Sequence, residues 1–233
     1  MGARRCRVSS EQGDCMGNKR SADGVPQAAE NFGPNLDVNN PLRLRQGDAL
    51  VIEDVQNDFL PGGSLPVPEG DAVIAPLNRC VAQFRERGLP VIATRDWHPA
   101  NHCSFQQYGG DWPPHCVVDS VGAEFAPDLQ LPADAWVIDK ATDPDREAFS
   151  VFAVADFARQ VRSRGIRRLF VGGLATEYCV RATVLDALKH RFRVVLLSDA
   201  VRAIDRRSGD GDHAIREMTE AGAEVWRSED LAR

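Results

Sequence analysis

No run of apolar residues in this chain approaches the ~20 that a membrane-spanning helix needs. Arg4, Arg5 and Arg7 near the start are not followed by the apolar segment of a secretory signal. Positive charge is not in excess. Lys and Arg number 28 against 34 Asp and Glu, a formal net charge of -6, which leaves no footprint for nucleic acid. The six cysteines include no CxxC pair, so they do not read as a disulfide framework. Cys6 stands where a myristoylation motif after Met1-Gly2 wants Ser or Thr. No internal repeat is visible. These absences argue against a membrane or nucleic-acid partner and leave the cytoplasm as the default compartment.

What is present is a globular composition. The 233 residues are 43% hydrophobic and 27% charged, enough for one domain with a buried core. Residues 1–46 are poor in long apolar side chains and carry no periodicity, so they read as a disordered or loosely attached extension. Residues 47–233 form the expected domain. In it, short apolar runs alternate with amphipathic stretches. Strands are expected at 49–53, 89–94, 135–139, 168–171, 192–197 and 223–226. Val73, Ile74, Leu77, Val81 and Phe84 mark one helix face, stopped by Gly88. Further faces start at Val154 and Val180, and a last one carries Ala214, Ile215 and Met218. This alternation predicts a three-layer α/β/α fold around a mostly parallel six-stranded sheet, of the Rossmann-like kind.

In such sheets ligands bind beyond the C-terminal strand ends. Here the first four strands each end near a reactive group: Asp54, then Asp96 and His98, then Lys140, then Cys179. Gly172 and Gly173 break the fourth strand, which places Cys179 in the first turn of the next helix. Free N–H groups and the helix dipole favour a thiolate there. Asp54 can accept the thiol proton, and Lys140 can balance the charges. The backbone N–H groups of Ala175 and Cys179 can bind the oxyanion of a tetrahedral intermediate. The plainer reading is a structural Asp54–Lys140 ion pair beside an inert cysteine.

A second constellation is Asp96-Trp97-His98 with His102 and His115. It offers nitrogen and oxygen ligands suited to one divalent ion, Zn, Fe or Mn. Cys103 and Cys116 flank these histidines, so a structural zinc site with thiolate ligands is the rival. Phe59 and Trp112 lie in the surrounding loops, either as packing or as a slot for a flat ring.

Five segments carry a resemblance. They are Asp54-Val55-Gln56-Asn57-Asp58-Phe59, Pro61-Gly62-Gly63-Ser64-Leu65, Asp96-Trp97-His98-Pro99-Ala100-Asn101-His102, Trp112-Pro113-Pro114-His115-Cys116, and Gly173 to Val180. On these the chain resembles the nicotinamidase branch of the isochorismatase-like cysteine hydrolases, over residues 48–228. The resemblance implies hydrolysis of nicotinamide to nicotinate and ammonia in NAD salvage, with pyrazinamide as a second substrate. It implies Cys179 as nucleophile, Asp54 as base and then acid, and Lys140 as third catalytic residue. The metal ligands would be Asp96, His98 and His102, with His115 where some members use a further histidine. Phe59 and Trp112 would sandwich the ring. Phe149 stands where the pocket wall often has Tyr, and the family has a cis peptide at the position of Leu174–Ala175. Glu53 replaces a usual apolar residue, and Ala141 a usual glycine. The resemblance leaves room for a homo-oligomer. Another amidohydrolase of the same family and a metal-binding protein with a dead site are the alternatives.

Overall fold

The computed structural model describes residues 7–8 and 42–231. At its centre six strands pair, all in parallel. They are β1 (Asp48–Glu53), β2 (Val91–Asp96), β3 (Trp136–Lys140), β4 (Arg168–Leu174), β5 (Arg193–Arg202) and β6 (Glu224–Trp226). Their spatial order is β3-β2-β1-β4-β5-β6. The order reverses between β1 and β4, and such a switch point opens a crevice at the strand ends.

Every residue of β1 is buried, as its near-continuous apolar run requires of a strand covered on both faces. Alternation then divides its side chains between two cores. Leu50 and Ile52, with Ala93, Phe170, Val195 and Leu197, pack under α1 (Ile74–Glu86). Ala49 and Val51, with Ile92, Leu169, Val171 and Leu196, pack on the other side. There they meet α2 (Phe157–Ser163), α3 (Arg181–Lys189) and α4 (Asp210–Glu220) through Phe157, Val161, Val184, Ala187, Ala214 and Met218. This is the three-layer arrangement expected. Pro76 sits in the first turn of α1, where its missing N–H costs nothing. Gly88, at φ +62°, ends the helix, with Leu89 N–H on the Phe84 carbonyl and Gly88 N–H on that of Arg85.

At the N-terminal end of the two central strands, Asp48 and Arg168 face each other in register. Arg168 donates to both carboxylate oxygens of Asp48, at 2.8 and 2.6 Å, and both residues are buried. A bidentate pair of this kind fixes geometry as well as charge.

Several boundaries differ from expectation. β2 runs on to include Asp96, and β5 extends to Arg202 with a register shift against β4 between Val171 and Gly173. α2 starts at Phe157 rather than Val154, because Val151–Ala153 makes its own 3₁₀ turn capped by the Ser150 hydroxyl. Cys179 is not in the first turn of α3. It lies in a π-helical turn, Thr176–Val180, that precedes it. The backbone of Arg7–Val8 pairs in parallel with Arg146–Glu147. The expectation of disorder for the rest of the extension, 1–6 and 9–41, lies outside the described residues. Among the described residues no helix is long and apolar enough to cross a membrane.

Three non-glycine residues beside the strand ends adopt the left-handed region: Asp54 at φ 50°, Cys116 at φ 45° and Ala141 at φ 53°. For Ala141 this conformation costs about 1–2 kcal/mol that glycine avoids, less the roughly 0.5–1 kcal/mol of extra chain entropy a glycine loses on folding. Ala141→Gly is therefore expected to raise the free energy of unfolding by about 0.5–1 kcal/mol, read as a Tm higher by roughly 1–4 °C.

Candidate active site

Four strand ends meet around one ammonium group. Lys140, the last residue of β3, is fully buried. Its Nζ lies 2.8 Å from Asp54 Oδ2, 2.6 Å from Asp96 Oδ1 and 3.3 Å from Cys179 Sγ. Burial by itself would lower the lysine pKa, but the two carboxylates outweigh it and hold the group well above its usual range. Lys140 is thus a fixed cation. Asp54 follows β1 directly, and its carboxylate pKa is raised by burial despite the neighbouring lysine. Asp96 ends β2; Lys140, His98 and His115 overcome its burial and hold it low.

Cys179 is buried, and burial pushes its thiol well above the ordinary value even with Lys140 beside it. Nearby Asp54, Asp96 and Glu53 push the same way. The expected helix-stabilised thiolate is therefore replaced by a neutral thiol, because burial, with the Asp54 and Asp96 carboxylates nearby, outweighs the helix end. A thiol of this kind reacts only if a base removes its proton during attack. Asp54 is in reach: one ligand atom each of Asp54, Asp96 and Cys179 lie within 4.8 Å of one another.

The metal-type residues form a second group on the same rim. His98 Nδ1 sits 3.0 Å from the His115 carbonyl, and His115 Nδ1 sits 2.8 Å from the Pro113 carbonyl. Each Nδ1–H donates to a carbonyl, which leaves both Nε2 atoms as acceptors. His98 Nε2 is buried with no hydrogen-bond partner. Burial lowers the pKa of His98 to about 4 and lowers that of His115, so both rings are neutral near pH 7. Asp96, His98 and His115 present ligand atoms within 4.8 Å of one another. Two imidazoles and a carboxylate with an orphaned buried nitrogen fit one divalent cation, with coordination positions left open.

His102 sits differently. Its Nδ1 is 2.7 Å from Ser104 Oγ and its Nε2 is 3.1 Å from the Arg146 carbonyl, so both nitrogens are engaged by protein. It groups instead with His98 and Glu147. The thiolate-zinc rival loses its basis: Cys103 is disulfide-bonded, and among the described residues Cys116 joins no cluster of potential ligands.

Between the two groups lies a pocket. Phe59, Trp112 and Phe149 line it, with Asp96, His98 and His115 on one side and Ala175 and Cys179 on another. Leu174–Ala175 is a cis peptide bond, as the resemblance implies. Tyr178, Glu147 and Ile204 also line the pocket and were not singled out from the sequence. Tyr178 packs edge-on against Trp112, with ring centroids 5.1 Å apart.

Two polar residues of the Asp54–Phe59 segment, given no role from the sequence, hold the backbone around Asp96 and His115. Gln56 accepts from the Asp96 N–H and donates to the Asp96 and Ala123 carbonyls. Asp58 accepts from the N–H of Cys116, next to His115, at 2.7 Å. Thr94 was missed as well; it hydrogen-bonds Asp54 Oδ1 at 2.7 Å. Its place two residues before Asp96, on the same strand face, was the available signal.

The isochorismatase domain matches residues 48–230 of the chain. The chain belongs to the isochorismatase family. Within this family, a nicotinamidase from Escherichia coli is 40% identical over 201 residues, covering 76% of this chain and 93% of that protein. The crystal structure of a pyrazinamidase from Pyrococcus horikoshii in complex with zinc is 50% identical, with a TM-score of 0.74, covering 78% of this chain and 99% of that one. A protein from L. infantum in complex with nicotinate is 39% identical, with a TM-score of 0.75, covering 79% of this chain and 94% of that one.

Replacing Lys140 by Met should leave Asp54 and Asp96 buried without their shared cation. Breaking a buried ion pair this way costs about 3–5 kcal/mol. Urea unfolding of Lys140→Met at pH 7 is expected to show that loss. The gap to wild type should narrow at low pH, where protonation of the stranded carboxylates removes the unpaired charge.

Proposed function

We propose that the protein is a nicotinamidase, hydrolysing nicotinamide to nicotinate and ammonia in NAD salvage. The single observation that carries this reading is one aromatic-lined pocket with an acyl-transfer group at one side and a cation-ready His98–His115–Asp96 set at the other. A flat ring with a metal-binding nitrogen and a carboxamide spans that distance. The similarity to a nicotinamidase and to a nicotinate-bound structure supports the same substrate.

In this reading Cys179 Sγ attacks the carboxamide carbon while Asp54 takes the thiol proton. Lys140 keeps the Asp54 carboxylate and the sulfur in contact and balances the charge that moves between them. The N–H groups of Ala175 and Cys179 receive the oxyanion. Collapse of the tetrahedral intermediate breaks the C–N bond, and Asp54 returns the proton to the departing ammonia. Asp54 then takes a proton from the water that cleaves the thioester, which releases nicotinate and restores the thiol. Phe59 and Trp112 hold the ring, with Phe149 on the wall. Asp96, His98 and His115 would hold the ion, with His102 beside His98 as the further candidate ligand. Bound there, a divalent ion supplies a Lewis-acid site for the ring nitrogen and for a water. The reaction belongs in the cytoplasm.

Ammonia release from nicotinamide, run beside a metal analysis, tests the reading. Cys179→Ala and Asp54→Asn should each lower kcat by roughly a thousandfold or more with the fold intact. Substantial turnover by Cys179→Ala would sink the thioester route. Benzamide has the same shape and amide but lacks the ring nitrogen. Its kcat/KM should fall by at least about a hundredfold, or roughly 2.7 kcal/mol, while pyrazinamide should react. Equal turnover of benzamide and nicotinamide would refute the assignment of the ring nitrogen to the metal set.

A further inference from the structure

Glu53 is the last residue of β1, and its side chain is fully buried. Among the described residues it has no ion pair, since the Lys140 ammonium lies against Asp54 and Asp96. Its Oε1 has no hydrogen-bond partner. Its Oε2 lies 2.8 Å from Thr94 Oγ1, and the same hydroxyl lies 2.7 Å from Asp54 Oδ1. One hydroxyl has one hydrogen, so it can donate to only one of these two carboxyl groups. The other contact needs a hydrogen of its own. Asp54 is the group beside the lysine and the thiol, so the extra hydrogen belongs on Glu53.

We propose that Glu53 is a positioning residue held as a neutral acid: its O–H donates to Thr94 Oγ1, and the Thr94 O–H donates to Asp54 Oδ1. The inference rests on the reading of Asp54 as the base. A hydrogen bond donated to a buried carboxylate favours its charged form. Asp54 needs that form to accept a proton, and burial works against it. Glu53 thus keeps the base in its working state through Thr94, without touching substrate.

The charged and titratable groups that face Glu53 are Asp54, Lys140 and Cys179, and the Thr183 hydroxyl of α3 lies near the carboxyl. Burial, then the Asp54 charge, lifts the Glu53 pKa from 4.5 to about 8. Above that pH Glu53 would ionise, compete for the Thr94 hydrogen and place a second anion beside the base. Between the unfolded and folded pKa values the folded state binds the extra proton, so this group's contribution to stability falls as pH rises through that window.

Glu53→Gln and Glu53→Leu separate this role from simple packing. The Gln amide N–H can donate to Thr94 as the acid does, but it cannot ionise. Glu53→Gln should keep kcat for nicotinamide near pH 7 within about threefold of wild type, and Glu53→Leu should lose about tenfold or more in kcat with little change in KM. The wild-type loss of kcat at alkaline pH should disappear in Glu53→Gln. The Tm advantage of Glu53→Gln over wild type should also grow as pH rises from about 5 to about 8. That last measurement needs no substrate, so it stands even if nicotinamide is not turned over. The proposal is overturned if Glu53→Gln is as impaired as Glu53→Leu, if its alkaline limb matches wild type, or if the Tm difference is flat with pH.

Discussion

The site depends on one ammonium group in a place that would otherwise reject charge. Two carboxylates from different strands converge on the buried Nζ of Lys140, with a thiol at 3.3 Å. Without the cation, Asp54 and Asp96 would repel each other in a dry environment and could not both ionise. With it, Asp54 remains usable as a base and Asp96 as an anionic ligand. The Cys179–Asp54 pair and the cation-ready Asp96–His98–His115 set are therefore coupled through a single side chain.

This coupling explains why the surrounding structure is so heavily hydrogen-bonded. Gln56 holds the Asp96 peptide from both sides, Asp58 fixes the chain beside His115, and carbonyls fix the tautomers of His98 and His115. Loss of the Gln56 contacts would free the Asp96 peptide and let its carboxylate drift from the lysine, where its burial would no longer be offset. The positive φ values at Asp54, Cys116 and Ala141 fall at the same strand ends. Strained backbone persists where the surroundings over-determine it, and here those surroundings are the ion cluster and its supports.

Most of the architecture was legible because apolar runs and helical periodicity report burial directly. The alternation of strands and helices, the residues at the four strand ends and the switch-point location all follow from pattern. The pattern could not show that Thr176–Val180 forms a π turn, since five residues are too few to display a period of their own. Nor could it show that Cys179 is a neutral thiol, because that depends on the sum of burial and of carboxylates brought in from two other strand ends. His102 illustrates the same limit. Its spacing from Asp96 suits a ligand, and pattern could not show that its Nε2 also meets the Arg146 carbonyl, 44 residues further along the chain.

The bidentate contact between Asp48 and Arg168 lies at the opposite end of the sheet from the chemistry. Both are first residues of their strands, and the pairing continues from there, residue by residue, to Glu53 opposite Gly173. A slip of one residue between these strands would displace Asp54 by about 3.3 Å along the sheet relative to the turn carrying Cys179. That is as large as the whole gap between Lys140 and the sulfur. The remote ion pair therefore acts as the zero mark of a ruler: it sets where counting begins, so that Asp54 and the turn carrying Cys179 come out level at the far edge.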